Sequence, residues 1–376
     1  MGNLETRNRY FDELANTPGL IWMGQNTNHI PAHPAVSEAM VRSVEAQEHN
    51  AYAPPLGFEA LRRAIVADLG VAGMSALVTE GGVNAIAAVC RATARPGTTL
   101  VTTDPTWKWP CIFARQMGAE VVQIPIYDPK QDFKLSPARL AAEVDERTAI
   151  IYLVDPNNPL GVRYDRDEIV LFAEIAKSVG ALLVHDCTYR DFATGHTPVL
   201  EVAPEGTVVT VSFSKWLGLA GMRIGAVLAS PDLVEVFAEQ SSSVLGASVI
   251  AQRGAMAGLE VKPEWIGEVR RITRENNRML AVRARELGLG VPIPESHGNF
   301  MIFETGPLGI TPEALVEAAR REGVMIRHGR YHSEGFGDRF IKVSTSVPEE
   351  WAEVLCQELP RFIETARSLN DVPELF

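Results

Sequence analysis

Residues 211–226 read VSFSKWLGLAGMRIGA and set one lysine, Lys215, among serines, glycines and apolar residues. The β-branched run at residues 206–212 precedes this lysine and predicts a buried strand. Lysine side chains usually keep their ammonium groups in water. A lysine placed just after a buried strand, with Arg223 following eight residues later, therefore indicates a reactive amine rather than a surface charge.

Strand-like and helical runs alternate upstream of this segment. The strand-like runs are ALVTE, TLVTTDP, EVVQIPI, AIIYLVDP and ALLVHD, and helical segments separate most of them. Short β-branched runs between longer helices indicate βαβ units. Over roughly residues 75–260 the pattern thus predicts an α/β fold, with a three-layer α/β/α large domain and a mostly parallel sheet.

The remainder of the chain predicts a second, smaller domain. A long charged helix follows from residue 263, and the weaker strands FMIFE, VMIRH and FIKVS alternate with helices after it, which is typical of an α+β domain. We divide the chain into an N-terminal arm with part of the small domain (1–48), a large domain (49–270) and a C-terminal small domain (271–376). We expect the first 45 residues to be irregular up to a helix at residues 35–46.

Composition excludes several classes of protein. The chain has 376 residues and a net charge of −12 without a basic block, which argues against binding to nucleic acid or to an anionic membrane surface. It contains neither an apolar run long enough to span a membrane nor a signal-peptide pattern at its start. Its four cysteines lie far apart and indicate buried thiols rather than metal ligands or disulfides. We expect a cytoplasmic protein without a metal site.

Polar or aromatic residues follow five of the predicted strands. Ligands of open parallel sheets bind in the crevice at the carboxyl ends of the strands, so these residues are expected to lie close together. In chain order they are Gly81, Gly82 and Val83; Trp107; Asn158; Asp186 and Tyr189; and Ser212, Ser214, Lys215 and Arg223. Taken singly, each also fits an ordinary role as a turn, a helix cap or a core residue.

Together these residues match the needs of one cofactor, pyridoxal 5'-phosphate. The glycine pair before a helix and the serines with Arg223 suit a phosphate. Lys215 suits an aldehyde, because an amine of lowered pKa forms a Schiff base. Asp186 suits a protonated ring nitrogen. The ring oxygen fits Asn158 and Tyr189, and the ring face fits Trp107.

The sequence resembles the class I/II aminotransferases, fold type I of the pyridoxal-phosphate enzymes, and within them the histidinol-phosphate aminotransferase-like branch. SFSKWLGLAGMRIG, DPNNPLG, DCTYRDF and DPTWKWP match the family's motifs around the cofactor. The resemblance implies that Lys215 binds the cofactor covalently and acts as general base, and that Arg223 binds its phosphate. NAYAPPLGFEALR resembles the segment in which a tyrosine, here Tyr52, reaches the phosphate of the partner subunit. A homodimer with a shared active site, acting on an amino acid and a keto acid by ping-pong chemistry, is therefore implied.

Three positions depart from the family pattern. The phosphate loop reads Gly81-Gly82-Val83-Asn84 without its usual acidic pair, and Leu160 replaces a threonine. The larger change is Lys342, which stands where the family has the arginine that binds the substrate carboxylate. A guanidinium grips a carboxylate through two parallel bonds, whereas an ammonium is a point donor.

The substitution at Lys342 leaves several interpretations open. Lys342 replaces the arginine with little consequence, or it binds the carboxylate more loosely, or a nearby arginine (Arg327, Arg330 or Arg339) takes over. Alternatively the substrate presents a different group at this position, or the enzyme is a lyase, a decarboxylase or an enzyme of other Cα, β or γ chemistry in the same fold. As substrate-binding residues we predict Lys342, Asn158 and His29, and as further candidates to line the pocket Trp109, Tyr331 and His332. A transcriptional regulator with an aminotransferase-like domain is disfavoured by the acidic charge and the lack of a basic helix-turn-helix segment. An inactive scaffold is disfavoured because the main cofactor residues are present.

Overall fold

The computed structural model describes residues 4–241, 244–369 and 372. The first half of the chain forms α1 (Leu4–Ala15), β1 (Ile21–Trp22), α2 (Pro34–Glu45), α3 (Glu59–Leu69), β2 (Ser75–Thr79), α4 (Gly82–Thr93), β3 (Thr99–Asp104), α5 (Trp109–Gln116), β4 (Glu120–Pro125), α6 (Pro137–Glu143), β5 (Thr148–Val154), α7 (Arg166–Val179) and β6 (Leu182–Asp186). The second half forms α8 (Val199–Val202), β7 (Thr207–Ser212), β8 (Gly225–Ala229), α9 (Pro231–Glu239), α10 (Val249–Glu286), β9 (Phe300–Glu304), α11 (Pro312–Arg321), β10 (Val324–Met325), β11 (Arg327–His328), β12 (Phe340–Ser344) and α12 (Glu349–Ser368).

A seven-stranded sheet forms the centre of the large domain. Its strand order is β2-β8-β7-β6-β5-β3-β4. Strands β3 to β7 run parallel to their neighbours within that group, and β8 is antiparallel to both β2 and β7. The carboxyl ends of β5, β6 and β7 therefore meet at one edge of the sheet, and the predicted α/β fold with a mostly parallel sheet is confirmed.

Both faces of this sheet are covered. On β5, Ile151 and Leu153 belong to the core on one face, whereas Ile150, Tyr152 and Val154 belong to the core on the other. Successive side chains of a strand point to opposite faces, so a strand buried on both sides becomes an unbroken apolar run. The run AIIYLV is apolar throughout because both faces of this strand are buried. Helices cover both faces of the sheet and form the two outer layers of the predicted three-layer arrangement.

The small domain has its own sheet and core. Strands β11, β12 and β9 form an antiparallel sheet, and β1 pairs with β10 in parallel. Helix α10 contributes to both domains: Val269 lies in the core of the large domain, and Leu280 and Ala284 lie in that of the small domain. The proposed boundary at residue 270 therefore falls inside a continuous helix, and the division into three segments stays a prediction.

Two helices differ from the expectations from sequence. Residues 4–15 form α1, whereas we expected irregular structure there. Helix α10 begins at Val249 and continues through Pro263, whereas we expected the helix to begin at residue 263. Among the described helices, none is both long enough and apolar enough to cross a membrane.

Candidate active site

A cavity of about 530 Å³ lies at the carboxyl ends of the central strands, and residues of both domains line it. It brings together most of the residues predicted from sequence, which are Gly82, Val83, Trp107, Asn158, Asp186, Tyr189, Ser212, Ser214, Lys215, Arg223 and Lys342. The candidate pocket residues Trp109, Tyr331 and His332 also line it. The crevice therefore lies where the topology of an open parallel sheet places a ligand site.

Lys215 is the half-buried amine of this cavity. It follows β7, and its Nζ donates a hydrogen bond of 3.0 Å to the backbone oxygen of Gln25. Burial, with a contribution from the nearby cations Arg223 and Arg327, lowers the pKa of Lys215 to about 8, although Asp186 opposes the change. Roughly a tenth of this amine is therefore neutral, and so nucleophilic, at pH 7, far more than for an ordinary lysine.

Asp186 ends β6 as a buried carboxylate whose two oxygens are both hydrogen-bonded. Oδ1 accepts from the backbone N–H of Thr188 at 3.1 Å and from its hydroxyl at 2.7 Å. Oδ2 accepts from the buried hydroxyl of Tyr152 at 2.7 Å. These donors fix the orientation of the carboxylate toward the cavity. Neither Thr188 nor Tyr152 was singled out from the sequence, although Thr188 lies in the DCTYRDF motif and Tyr152 in the strand that precedes DPNNPLG.

The hydroxyl of Tyr189 lies at the centre of a small polar cluster. It accepts from Asn158 Nδ2 at 3.2 Å and from Asn26 Nδ2 at 3.0 Å. Two donors occupy the lone pairs of this oxygen, so its own proton remains available to a ligand. Asn26 is the clearest residue that sequence reasoning missed, although it lies three positions before His29, which we predicted to bind the substrate.

The backbone of Asn26 is held in an uncommon conformation. Its φ is +55°, in the left-handed region that asparagine tolerates better than most residues. Its N–H donates to Ser344 Oγ at 2.7 Å, and its carbonyl oxygen accepts from Asn299 Nδ2 at 2.9 Å. These contacts with the small domain fix the position of an amide that reaches into the cavity.

The N-terminus of α4 and Arg223 form an anion-binding corner. Gly81 caps α4 without a side-chain bond, so the first N–H groups of the helix are free to bind an anion. A Cβ on Gly81 would lie 2.6 Å from Nη2 of Arg223, and one on Gly225 would lie 2.5 Å from the nitrogen of Gly82. The backbone contact requires glycine at position 225, and a φ of +86° favours glycine at position 81. Ser212 lines the same corner, where its Oγ accepts from the N–H of Ser214 at 3.2 Å.

Two predicted residues lie away from the cavity. His29 forms a hydrogen bond of 2.8 Å with Thr27 Oγ1, and its ring packs on that of Trp351 with 5.1 Å between the ring centroids. Residues 24–27, which precede His29 along the chain, line the cavity instead. Tyr52 is 84 % exposed and lies outside the cavity of its own chain. Its exposure leaves the side chain available to a second subunit.

A buried His–Asp–His cluster lies behind the cavity. Asp155 Oδ2 lies 3.1 Å from Nε2 of both His185 and His196, and Cys187 is close by. The N–H of Val199 donates to Nδ1 of His185, so the proton of this ring is on Nε2, which donates to Asp155 Oδ2. Burial opposes ionisation of Asp155, yet the two histidines hold its pKa below the usual value. The hydrogen bonds thus fit a structural role that ties the ends of β5 and β6 together.

Comparisons with known proteins agree with this site. The sequence profile described as aminotransferase class I and II matches residues 18–359. The chain belongs to the class I and II aminotransferase family. It is 27 % identical to a histidinol-phosphate aminotransferase of Methanosarcina mazei over 92 % of this chain and 91 % of the relative. It is 28 % identical to an aromatic amino acid aminotransferase of Rhodococcus opacus, over 89 % and 88 %.

A solved structure shares the fold of this aminotransferase. The N-succinyldiaminopimelate aminotransferase of Mycobacterium tuberculosis superposes with a TM-score of 0.85 at 22 % identity, over 94 % of this chain and 96 % of that one. The family, its fold type and its dependence on pyridoxal phosphate, all expected from the motifs, are therefore confirmed. These relatives are aminotransferases, and none supports the lyase alternative.

The residues of the cavity fit pyridoxal phosphate. The N-terminus of α4, which has no side-chain cap, forms with Arg223 a corner that suits a phosphate group. The carboxylate of Asp186, whose orientation is fixed by its hydrogen bonds, suits a protonated ring nitrogen. The free proton of Tyr189 and the amide of Asn158 match the ring oxygen. Lys215 is the amine for its aldehyde.

Proposed function

We propose that this aminotransferase moves the amino group of an amino acid to a keto acid, with Lys215 as the group that binds the cofactor and transfers the proton. The observation that carries the proposal is the position of Lys215, an amine with a pKa near 8 in the same cavity as Asp186 and the Tyr189–Asn158 pair. Its relatives carry aminotransferase names, which supports the same reaction class.

Each residue has a separate task. Arg223, Ser212, Ser214 and the first N–H groups of α4 hold the phosphate. Asp186 and Trp107 line the same cavity, where Asp186 would keep a ring nitrogen protonated and Trp107 would cover a face of the ring. When bound, pyridoxal phosphate supplies an electron sink for the pair left at Cα after its proton is removed.

Lys215 has two states that the reaction needs. As a neutral amine it accepts the proton from Cα of the amino acid, and as an ammonium it returns a proton. A pKa near 8 makes both states accessible around neutral pH, because a general base works best when its pKa lies close to the working pH. A lysine with the ordinary value of 10.5 would be almost entirely protonated and could not accept that proton.

The α-carboxylate is proposed to bind between Lys342 and Asn158. Lys342 is buried on β12, and its Nζ lies 5.5 Å from the ring centre of Phe300. Within the described part of the chain it has no hydrogen-bond or ion-pair partner, and burial, with Arg327 and Lys215 nearby, lowers the pKa of its amine well below the usual value. A substrate carboxylate would therefore supply the counter-charge that favours its ammonium form. Arg327 is its register partner on β11, whereas Arg330 is exposed and paired with Glu313, and Arg339 packs on aromatic rings outside the cavity.

The experiment that tests the proposal follows the transfer of a labelled nitrogen atom from an amino acid to a keto acid. Purified holoenzyme is mixed with a ¹⁵N-labelled amino acid and an unlabelled keto acid, and the products are analysed by mass spectrometry. The proposal predicts ¹⁵N in the new amino acid and one keto acid formed for each one consumed. Release of ¹⁵N-ammonia or carbon dioxide in place of this transfer would favour lyase or decarboxylase chemistry and would contradict the proposal.

We also propose a homodimer in which Tyr52 contributes to the phosphate site of its partner. Support comes from the exposed Tyr52 side chain and from exposed apolar neighbours such as Val244 and Leu245. Mixing inactive Lys215→Ala chains with Tyr52→Ala chains would create one intact site per hybrid and restore activity. Mixing Lys215→Ala with Arg223→Gln chains, whose residues belong to the same site, would not. A cytoplasmic location stays a prediction.

A further inference from the structure

Four charged side chains pair with one another in the large domain and have no task in the proposed reaction. They are Asp68 of α3, Arg190 and Asp191 of the loop after β6, and Lys262 of α10. The Nζ of Lys262 lies 2.8 Å from Oδ1 and 2.7 Å from Oδ2 of Asp68, and 2.7 Å from Oδ1 of Asp191. Arg190 pairs with Asp68 and lies 3.9 Å from Oδ1 of Asp191. These four residues are called the rear ion network below.

The burial of the rear ion network indicates a role beyond stability. The side chains of Lys262 and Asp191 are 9 % and 7 % exposed. Burial opposes the ionisation of Asp191, yet Arg190 and Lys262 hold the pKa of its carboxyl below the usual value. A buried ion pair seldom stabilises a fold more than a well-packed apolar pair does, because both charges lose their hydration. A fully paired network does fix the geometry of the groups around it, since each hydrogen bond joins particular atoms.

One side of the rear ion network contacts the residue that follows Lys215. The Nζ of Lys262 lies 4.5 Å from the ring centre of Trp216, which is within the range of a cation–π contact. Trp216 is buried, and its backbone oxygen accepts a hydrogen bond of 2.9 Å from Nδ2 of Asn28. Separate parts of the chain therefore hold the ring and the backbone of Trp216. Because Trp216 is bonded to Lys215, these contacts limit movement of the Lys215 backbone.

The other side of the rear ion network contains the two residues that follow Tyr189. Arg190 and Asp191 continue the chain directly from this tyrosine. The Nε of Arg270, from α10, donates a hydrogen bond to the backbone oxygen of Asp191 and ties the same loop to the helix that carries Lys262. The network therefore holds two neighbouring loops at once. One follows β6 and carries Tyr189, and the other follows β7 and carries Lys215.

The rear ion network is suited to set positions without changing the charge of the active site. Its two cations and two carboxylates cancel in formal charge. Its four side chains lie outside the set of described residues that line the cavity. Three of them, with Trp216 and Ser212, border a narrow internal space behind it. The pKa of Lys215 is lowered by burial, Arg223 and Arg327, so the expected effect of the network on Lys215 is one of placement.

We propose that Lys262 is a positioning residue for the amino-group transfer: through Trp216 and the rear ion network it keeps Lys215 within reach of the cofactor and of Cα. This inference rests on the proposed role of Lys215. Displacement of a reacting group by about 1 Å can lower a rate about 100-fold, so a distant positioning contact has a measurable effect. The proposed carboxylate site, Lys342 and Asn158, shares no residue with the network. Loss of the contact should therefore lower kcat more than it changes KM.

The test removes the cation over Trp216 and keeps the network neutral. In the double variant Lys262→Met with Asp68→Asn, an apolar chain of similar length replaces the amine, and Arg190 remains to pair with Asp191. We expect kcat in the ¹⁵N-transfer assay with holoenzyme to fall about 10- to 100-fold, with KM changed much less.

The matched control is Lys134→Met with Glu168→Gln. Lys134 also pairs with a carboxylate, Glu168, at 2.5 Å, and its Nζ lies 5.5 Å from the ring centre of Tyr164. The control thus removes the same kinds of contact from the large domain at a place outside the network. It should leave kcat unchanged, and urea titrations show that both double variants are folded under the conditions of the assay.

A second measurement reports the placement of the cofactor without turnover. The circular dichroism of the bound cofactor depends on its orientation in the site, and it is recorded at full cofactor occupancy. We expect its visible band to change in the Lys262→Met, Asp68→Asn variant and to stay the same in the control. This result supports the inference even if no amino acid transfers nitrogen, which would contradict the proposed function alone. An unchanged band with unchanged kcat in the folded variant, or an equal change in the control, overturns the inference and leaves the proposed function standing.

Discussion

Lys215 offers the sharpest quantitative prediction, because its reactivity follows from its protonation. With a pKa of about 8, roughly 9 % of its amines are neutral at pH 7, against roughly 0.03 % at the ordinary value of 10.5, a ratio of about 300. The perturbation is a change of pH on the apoenzyme, and the response is the rate at which this amine is acylated.

Competitive labelling with a trace of acetic anhydride, followed by peptide mass spectrometry, gives the rate at each pH. We expect labelling of Lys215 to rise from pH 6, to reach half of its maximum at about pH 8 and to level off above about pH 9. At pH 7 it should exceed that of an ordinary lysine by up to about 300-fold before correction for accessibility. The exposed Lys130 serves as the internal reference for the reagent.

A variant tests the cause of the shift. Replacing Arg223 by Gln removes a cation that lowers the pKa of Lys215, so the plateau should move to higher pH, and Arg9→Gln should not move it. A labelling rate for Lys215 that continues to rise beyond pH 10 would refute the reasoning, since the amine would then have the behaviour of a solvated lysine.

Three further predictions concern buried polar groups. Tyr152→Phe should weaken cofactor binding by about 0.5–1.5 kcal/mol, because Asp186 loses one hydrogen-bond donor. A fluorescence titration should then show a cofactor Kd raised about 2- to 10-fold. An unchanged Kd would show that this hydroxyl does not orient the carboxylate. Asp155→Asn should lower the free energy of unfolding by about 1–3 kcal/mol in urea titrations. Since the folded pKa of Asp155 is depressed, this difference should hold at pH 5–8 and shrink as the pH falls below 3.8, and a difference that grows in acid would contradict it. Lys342→Met should raise the free energy of unfolding of the apoenzyme by about 1 kcal/mol, because an apolar side chain replaces an unpaired buried amine. The rate of amino-group transfer should fall in the same variant. A lower free energy of unfolding would imply that the amine has a partner within the protein.

The large domain was predictable because its signals are local. Short β-branched runs, helices between them and a polar residue after each strand follow from the geometry of parallel strands, and the sheet brings those residues to one edge. Lys215, Asp186 and Asn158 converge in the cavity for this reason. Strand β8 gave no separate signal, since its five apolar residues follow the lysine motif directly.

Residues fixed by long-range contacts were not predictable in the same way. Asn26 reaches Tyr189 because Ser344 and Asn299, more than 270 positions away, hold its backbone. Helix α1 begins with a mixed charged sequence that has no strong apolar period, and only the folded chain shows Arg7 facing the cavity. The sequence indicated that Lys342 was unusual, but the position of Arg327 opposite it depends on strand register.

The most direct test of the account distinguishes the two lysines of the cavity. Holoenzyme is reduced with borohydride, digested, and searched by mass spectrometry for the peptide that carries the cofactor. We expect the cofactor on Lys215, with no labelled peptide in Lys215→Ala and an unchanged labelled peptide in Lys342→Met. A cofactor attached to Lys342, or labelling that survives the loss of Lys215, would contradict it.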